Sequence, residues 1–345
     1  LFFLTFTVFF SCSDSDDLPS NTQNQNPNTN KVLVINEGGF GNSNGTISEI
    51  NLADNQINHD VLGKANNGIS SGDVIQSAYR FEGKLYLVSN NDNTIRIFNE
   101  SDYVQTGIIE SDLAGPRYLT IVNETIYITN WNSDFNTGIT ESFVAVFDLN
   151  TLDLIKAIET DDGTEKIHFD NERFWVTNNL ASTVQVFKEE STEVESTIEV
   201  FSGPNGMVEM ENSLVILCQG SFNSNSGYLY EISKSSLIKT DSFAINSGLN
   251  GHLVKGTNNE FYFSAELRIF KSSFENGIDL SADEISISST EIGGIYGLDL
   301  RANGEIWIGD AGDFTEAGKV YRFDSNGELM QSYTAGLLPN GFLFY

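Results

Sequence analysis

The sequence predicts an all-β fold, a seven-bladed β-propeller of four-stranded antiparallel blades, on three observations. A short apolar strand ending in a small or amide residue recurs at 32–36, 85–90, 126–130, 174–178, 214–218, 261–264 and 306–309. The end residues are 54, 40, 48, 40, 46 and 45 positions apart, and a period near 40–50 residues with several strands per unit is that of a radial propeller. Residues 32–345 shared among 28 expected strands allow about 11 residues per strand and turn, within the spacing usual for all-β domains. Lastly, the two ends complement each other. The chain enters at Val32 on what the other units use as a second strand, and Leu338-Pro339-Asn340-Gly341 reads like a first strand, as in Gly203-Pro204-Asn205-Gly206. The C-terminal strand is therefore expected to join the N-terminal blade and close the ring, leaving no free blade edge.

Residues 1–12 are expected to stand outside the fold. Residues 1–10 are apolar except for Thr5 and Thr7. That run is too short to span a bilayer and suits the apolar part of a signal peptide, truncated at its start because no Met or basic segment precedes it. Phe9-Phe10-Ser11-Cys12 resembles a bacterial lipobox, with Cys12 the residue acylated and Phe9 a departure from the usual Leu. The following Ser13-Asp14-Ser15-Asp16-Asp17 resembles the acidic export signal of surface-exposed lipoproteins of Bacteroidetes. Residues 13–30, rich in Asn, Ser, Thr and acids, read as a flexible tether, and 31–345 as the propeller. The remaining cysteine, Cys218, sits mid-strand, so no disulfide is expected in the mature chain.

The third and fourth units show the four-strand pattern most fully: 118–122, 126–130, 143–148 and 154–158, then 166–169, 174–178, 183–187 and 196–200. Asn, Gly, Asp and Ser stand where tight turns need them. Runs such as Ile95-Arg96-Ile97-Phe98 and Val144-Ala145-Val146-Phe147 are nearly continuous in apolar residues, as expected of blades buried on both faces. Most of the 25 phenylalanines are therefore expected to pack the core. The net charge of −30, from 48 acids against 18 bases, excludes nucleic acid as a partner, since that binding needs lysine and arginine to displace counterions.

In a propeller the loops after second strands and the links between blades share one face, which places the functional mouth. These loops alternate in length: long at 37–45, 131–141, 219–227 and 310–318, short at 91–93, 179–182 and 265–266. Each long loop carries a phenylalanine four or five residues past its strand: Phe40, Phe135, Phe222 and Phe314. Trp131 joins them. One reading is an aromatic-rimmed cup for a large, partly apolar ligand; the other is a plug that each ring folds onto its neighbouring blade. The links add Asp73, Arg117, Lys166, His168, Asn205, His252, Tyr296 and Asn340 near the same mouth. His168 and His252 are read either as ligand-orienting groups or as ordinary polar strand residues.

Catalytic signatures are weak, and the chain is read as leaning away from an enzyme. Gly68-Ile69-Ser70-Ser71-Gly72 matches G-x-S-x-G, but that motif needs a strand–turn–helix setting and here a strand follows. A calcium ion at the mouth would need oxygens from several blades, for which Glu37, Asn130, Asn178 and Asp310 are the candidates; otherwise no cofactor is expected.

Leu85-Tyr86-Leu87-Val88-Ser89-Asn90 followed by Asn93-Thr94-Ile95-Arg96-Ile97-Phe98 resembles the YncE/YVTN-type seven-bladed propellers over nearly all of 32–345. With the lipobox-like start and Val34-Ile35-Asn36-Glu37-Gly38-Gly39-Phe40-Gly41-Asn42, the chain is similar to propeller lipoproteins of Bacteroidetes, among them the BtuG-type proteins. That resemblance implies a monomeric, surface-exposed outer-membrane lipoprotein that touches the membrane through its lipid alone. It would capture cobalamin or a related corrinoid and pass it to an outer-membrane transporter; the resemblance carries over no individual contact, and the expected ligand residues, Phe40, Arg117, Trp131, Phe135, His168, Phe222, His252, Tyr296 and Phe314, come from the loop and link pattern alone. The alternatives are a protein-interaction propeller accessory to transport or glycan uptake, and a calcium-dependent, lactonase-like hydrolase.

Overall fold

Seven four-stranded antiparallel sheets make up the computed structural model of the chain, which describes residues 30–134, 139–221, 224–257, 259–274, 277–288 and 292–345. Blade 1 combines the C-terminal strand Pro339–Phe344 with Lys31–Asn36, Thr46–Asn51 and Gln56–Asn58. Val32 lies opposite Phe344 and Val34 opposite Phe342, so the closing strand is in register with the first. The first strands of blades 2 to 7 are Ile75–Phe81, Pro116–Val122, Thr164–Phe169, Pro204–Glu209, Leu249–Lys255 and Gly297–Leu300. Their second strands, Lys84–Ser89, Thr125–Asn130, Arg173–Asn178, Ser213–Cys218, Glu260–Ala265 and Ile306–Asp310, fall on the segments the sequence marked, to within one residue.

Blades pack face to face, and the apolar side chains divide into seven buried clusters, one for each junction between neighbours. Phe147, Phe174, Phe187, Phe261, Phe323 and Phe344 are among the largest fully buried side chains, the packing role expected of them. The long first step of the repeat has a local cause. The link from blade 1 to blade 2 holds a one-turn helix, Val61–Ala65, which the sequence did not foretell, capped by Asp60 Oδ1 accepting from the Gly63 N–H at 3.0 Å. Five residues carry no detectable helical period.

Five of the seven first strands, those of blades 1 to 5, are entered through a kink. Leu338, Val74, Gly115, Gly163 and Gly203 all have left-handed backbone, with φ between 58° and 77°. The kink turns the carbonyl toward the neighbouring strand end. Glu37, Asn90, Trp131, Asn179 and Gln219 donate their N–H groups to Leu338, Val74, Gly115, Gly163 and Gly203 in turn, at 2.8–3.1 Å. A β-branched residue at positive φ is a strained exception; at Val74 the side chain is buried and the carbonyl bonded, which holds it there.

Candidate functional site

The kink fixes what faces the channel. Two residues past it, each link points a polar side chain into a central cavity of about 580 Å³: Asn340, Gln76, Arg117, Glu165 and Asn205 from blades 1 to 5. Asn250 occupies the same level in blade 6, and Tyr296, ahead of Gly297, completes the ring from blade 7. Arg117 and Glu165 form a bidentate ion pair, with Nε and Nη2 each 2.9 Å from a carboxylate oxygen. The Arg117 guanidinium lies 4.4 Å from the centre of the Trp131 ring, which backs it without itself lining the cavity. Burial works against the Arg117 charge, but the Glu165 carboxylate outweighs it and holds the guanidinium above its ordinary pKa.

On the opposite side Glu37 accepts hydrogen bonds from Tyr296 Oη at 2.7 Å and Asn340 Nδ2 at 3.3 Å. Burial raises the Glu37 carboxyl above its usual range in spite of these bonds. Phe314 stands edge-on to Tyr296, ring centres 5.5 Å apart, and is 58% exposed; Phe40 is 79% exposed at the tip of its loop. Neither ring is tucked into a neighbouring blade, which speaks against the plug reading for these two. Phe135 and Phe222 lie outside the described residues, as do Cys12 and the tether expected before residue 30.

The two histidines part company. His252 lines the upper channel and its Nε2–H donates to the Ile295 carbonyl at 3.3 Å. Burial lowers its pKa to about 4, so the ring is neutral. His168, expected near the mouth, lies five residues below its kink, toward the far end of the channel. There His168 Nε2 is 3.2 Å from Glu209, which also takes the Lys234 ammonium. Burial pushes the Glu209 carboxyl up, but bonds from His168 and Lys234 prevail and hold it at about 2.

Of the four oxygen donors considered for calcium, Glu37 alone lines the cavity. Asn130 Oδ1 accepts from the Ala114 N–H and Asn178 Oδ1 from Thr164 Oγ1, both side chains fully buried. Asp310 accepts from the Gly293 and Gly312 N–H groups. The amides at second-strand ends thus pin the incoming links, and the four donors do not fit one shared ion. Among the described residues no group of three His, Cys, Asp or Glu is arranged to hold a metal. In the G-x-S-x-G stretch, Ser70 Oγ donates to the Ser43 carbonyl in the long loop of blade 1 and accepts from the Gly72 N–H.

Sequence reasoning overlooked Gln76, Glu165, Asn250, Tyr118 and Asp299. Lys166 rests its ammonium 3.6 Å from the centre of the Tyr118 ring, and Gln76 Nε2 donates to Tyr118 Oη at 3.3 Å. Asp299 lines the cavity with one oxygen on the Leu300 N–H; burial pushes its carboxyl up to about 7. The readable signal is the kink itself: in Gly115-Pro116-Arg117, Gly203-Pro204-Asn205 and Leu338-Pro339-Asn340 the residue after the proline faces the lumen.

A family model described as "Domain of unknown function (DUF5074)" matches residues 30–344, the whole propeller. The chain belongs to that family. No curated protein matches the sequence. Among solved structures the chain is similar to a quinonprotein alcohol dehydrogenase-like protein from Bacteroides thetaiotaomicron, with TM-score 0.70 and 14% identity, over 93% of this chain and 79% of that one. A protein from Lactobacillus plantarum gives TM-score 0.68 and 12% identity over 92% and 99% of the two chains. Hydrazine synthase of Kuenenia stuttgartiensis gives 0.62 and 14% over 75% and 85%. At such identities the likeness is one of fold.

Proposed function

We propose that this DUF5074 propeller is a non-enzymatic binding protein whose mouth captures a large, partly apolar ligand fringed with hydrogen-bonding groups, a corrinoid such as cobalamin being the first candidate. The observation that carries the reading is the combination, around one cavity of about 580 Å³, of aromatic side chains in its wall (Tyr118, Tyr296) and against that wall (Trp131 on Arg117, Phe314 on Tyr296) with a ring of amide and charged side chains. That volume is of small-molecule size, so a corrinoid would seat across the rim and reach only partly into the lumen.

The same reading places the protein at the outer membrane as a lipoprotein acylated at Cys12, delivering its cargo to an outer-membrane transporter. Lys31 supports this orientation: it lies opposite Asn51 on the strand whose other end, Asn36, meets Pro339 at the mouth, so the described chain starts on the far face. A lipid on the N-terminal side would leave the mouth pointing outward. Calorimetric titration with cyanocobalamin tests the reading. Saturable one-to-one binding, weakened in Trp131→Ala and Phe314→Ala, is expected; absence of heat removes the corrinoid.

A second reading has its own observation. Phe40, Ile69, Leu180, Leu267 and Phe314 are exposed large apolar side chains, all on mouth-side loops or links, which suits a protein docking face. A partner retained by pull-down and lost in Phe40→Ser/Leu180→Ser/Leu267→Ser, with cyanocobalamin inert, would favour it.

A further inference from the structure

Beneath the ring, three blades bring Lys166, His252 and Asp299 to the wall of one cavity. All three side chains border the same cavity; burial displaces the pKa of both His252 and Asp299, and the positive charge of Lys166 lowers each. Among the described residues no ion pair within 4.0 Å includes Lys166, and its ammonium lies over the Tyr118 ring. The other carboxylates on the cavity wall are engaged: Glu165 by Arg117, Glu37 by Tyr296 and Asn340, Glu209 by His168 and Lys234. An ammonium on a cavity wall attracts a counter-charge, and an aromatic face compensates it only in part.

The neighbours agree with an incoming anion. His252, neutral and committed through Nε2–H to Ile295, places no second fixed cation there. Asp299 uses one oxygen on its own backbone and has no cationic partner within bonding distance among the described residues. Near neutrality a share of its carboxyl groups keep the proton and can donate it to an oxyanion.

We propose that this level of the channel is a subsite for an anionic oxygen group, a carboxylate or phosphate, with Lys166 as counter-charge and the Asp299 carboxyl as a hydrogen-bonding neighbour. It stands beneath the mouth whichever ligand fills the mouth. The anion is either free or an arm of that ligand.

The test is a titration of the full chain, carrying isotope-labelled lysine, with inorganic phosphate. The Lys166 side-chain resonance is followed by NMR and phosphate affinity by calorimetry. A saturable shift is expected, retained in Lys166→Arg and weakened about tenfold or more in Lys166→Met, the loss of roughly one charge-assisted hydrogen bond. A shift that never saturates in the parent protein, or equal affinity in Lys166→Met, overturns the subsite. Added cyanocobalamin then separates the sources: displacement of phosphate assigns the position to an arm of the mouth ligand, and simultaneous binding assigns it to a free anion. Saturation by phosphate with no heat from cyanocobalamin leaves the subsite standing and removes the corrinoid alone.

Discussion

The two ends of the channel are built from the same first strands yet use polar groups in opposite ways. At the far end, Glu209 is saturated by His168 and Lys234, and the C-terminal Tyr345 ring is gripped by Lys31 at 3.8 Å and Arg80 at 3.5 Å. Arg80 also bonds Glu100 and donates to the Phe344 carbonyl at 2.8 Å. Toward the mouth, just beneath its polar ring, Asp299 carries a carboxyl raised by burial and Lys166 has a ring in place of an acid. Groups that satisfy one another stabilise the ring; groups left facing the lumen lower stability and remain available to a ligand.

The largest break of this contrast is removal of residues 338–345. The closing strand supplies Phe342 and Phe344 to the cluster around Trp307, so its loss should abolish cooperative thermal unfolding followed by circular dichroism. Native-like melting of the truncated chain would show that the far end does not lock the ring. Arg117→Ala comes next. It strands the buried Glu165 carboxylate, a loss of roughly 3–5 kcal/mol, read from the denaturant midpoint; Arg117 would then be a mouth residue that also stabilises.

Among the kinks, Gly203→Ala should cost about 1–3 kcal/mol, because its φ is 70° and a Cβ would stand 2.5 Å from the Gly220 carbonyl oxygen. Gly115→Ala, whose Cβ would have nothing nearer than 3.7 Å, carries only the left-handed strain and should cost less.

The pH dependence should run in opposite senses at the two ends. Glu209, held at about 2 against an ordinary 4.5, contributes stability that is complete above pH 4.5 and lost as pH falls toward 2. Asp299, held at about 7 against 3.8, contributes stability that is complete below pH 3.8 and lost as pH rises through 7. Glu209→Gln should therefore destabilise at neutral pH. Asp299→Asn should gain on the parent protein across the interval from 3.8 to about 7, each effect being on the order of 1–3 kcal/mol. His252, held at about 4 against 6.5, loses its contribution as pH falls below 6.5, and comparing parent with variant cancels it. Parallel pH profiles for the parent and Asp299→Asn would break the contrast.

The smallest stability effect belongs to the rim. Phe40→Ser should leave the melting midpoint within about 0.5 kcal/mol of the parent while weakening capture of the mouth ligand in calorimetry.

Much of this was legible in the residues. The spacing of second-strand ends marked all seven blades, and the likeness of Pro204-Asn205-Gly206 to Pro339-Asn340-Gly341 foretold the closure. Of the residues named, Arg117, His252 and Tyr296 line the cavity, while Trp131 lies beside Arg117 and Phe314 beside Tyr296. His168 was misplaced because it was grouped with the links, whereas it is the fifth residue of the six-residue strand Thr164–Phe169, near the end away from the mouth. Asn130 and Asn178 looked like ligand donors because an amide at a strand end has the same appearance whether it bonds a link or faces a channel. Gln76, Glu165 and Asp299 were passed over because each stands among the first residues of a first strand, where alternation alone does not say which face meets the lumen.

By itself the sequence determined the repeat, the blade count and the ring closure, since these follow from strand periodicity and turn chemistry, which are local. Which side chains face the lumen, and which of them meet a partner, was decided by the tertiary structure. The channel wall is assembled from first strands some 40–50 residues apart, and only the left-handed kinks and bulges, acting together around the ring, set the direction and the neighbours of each group.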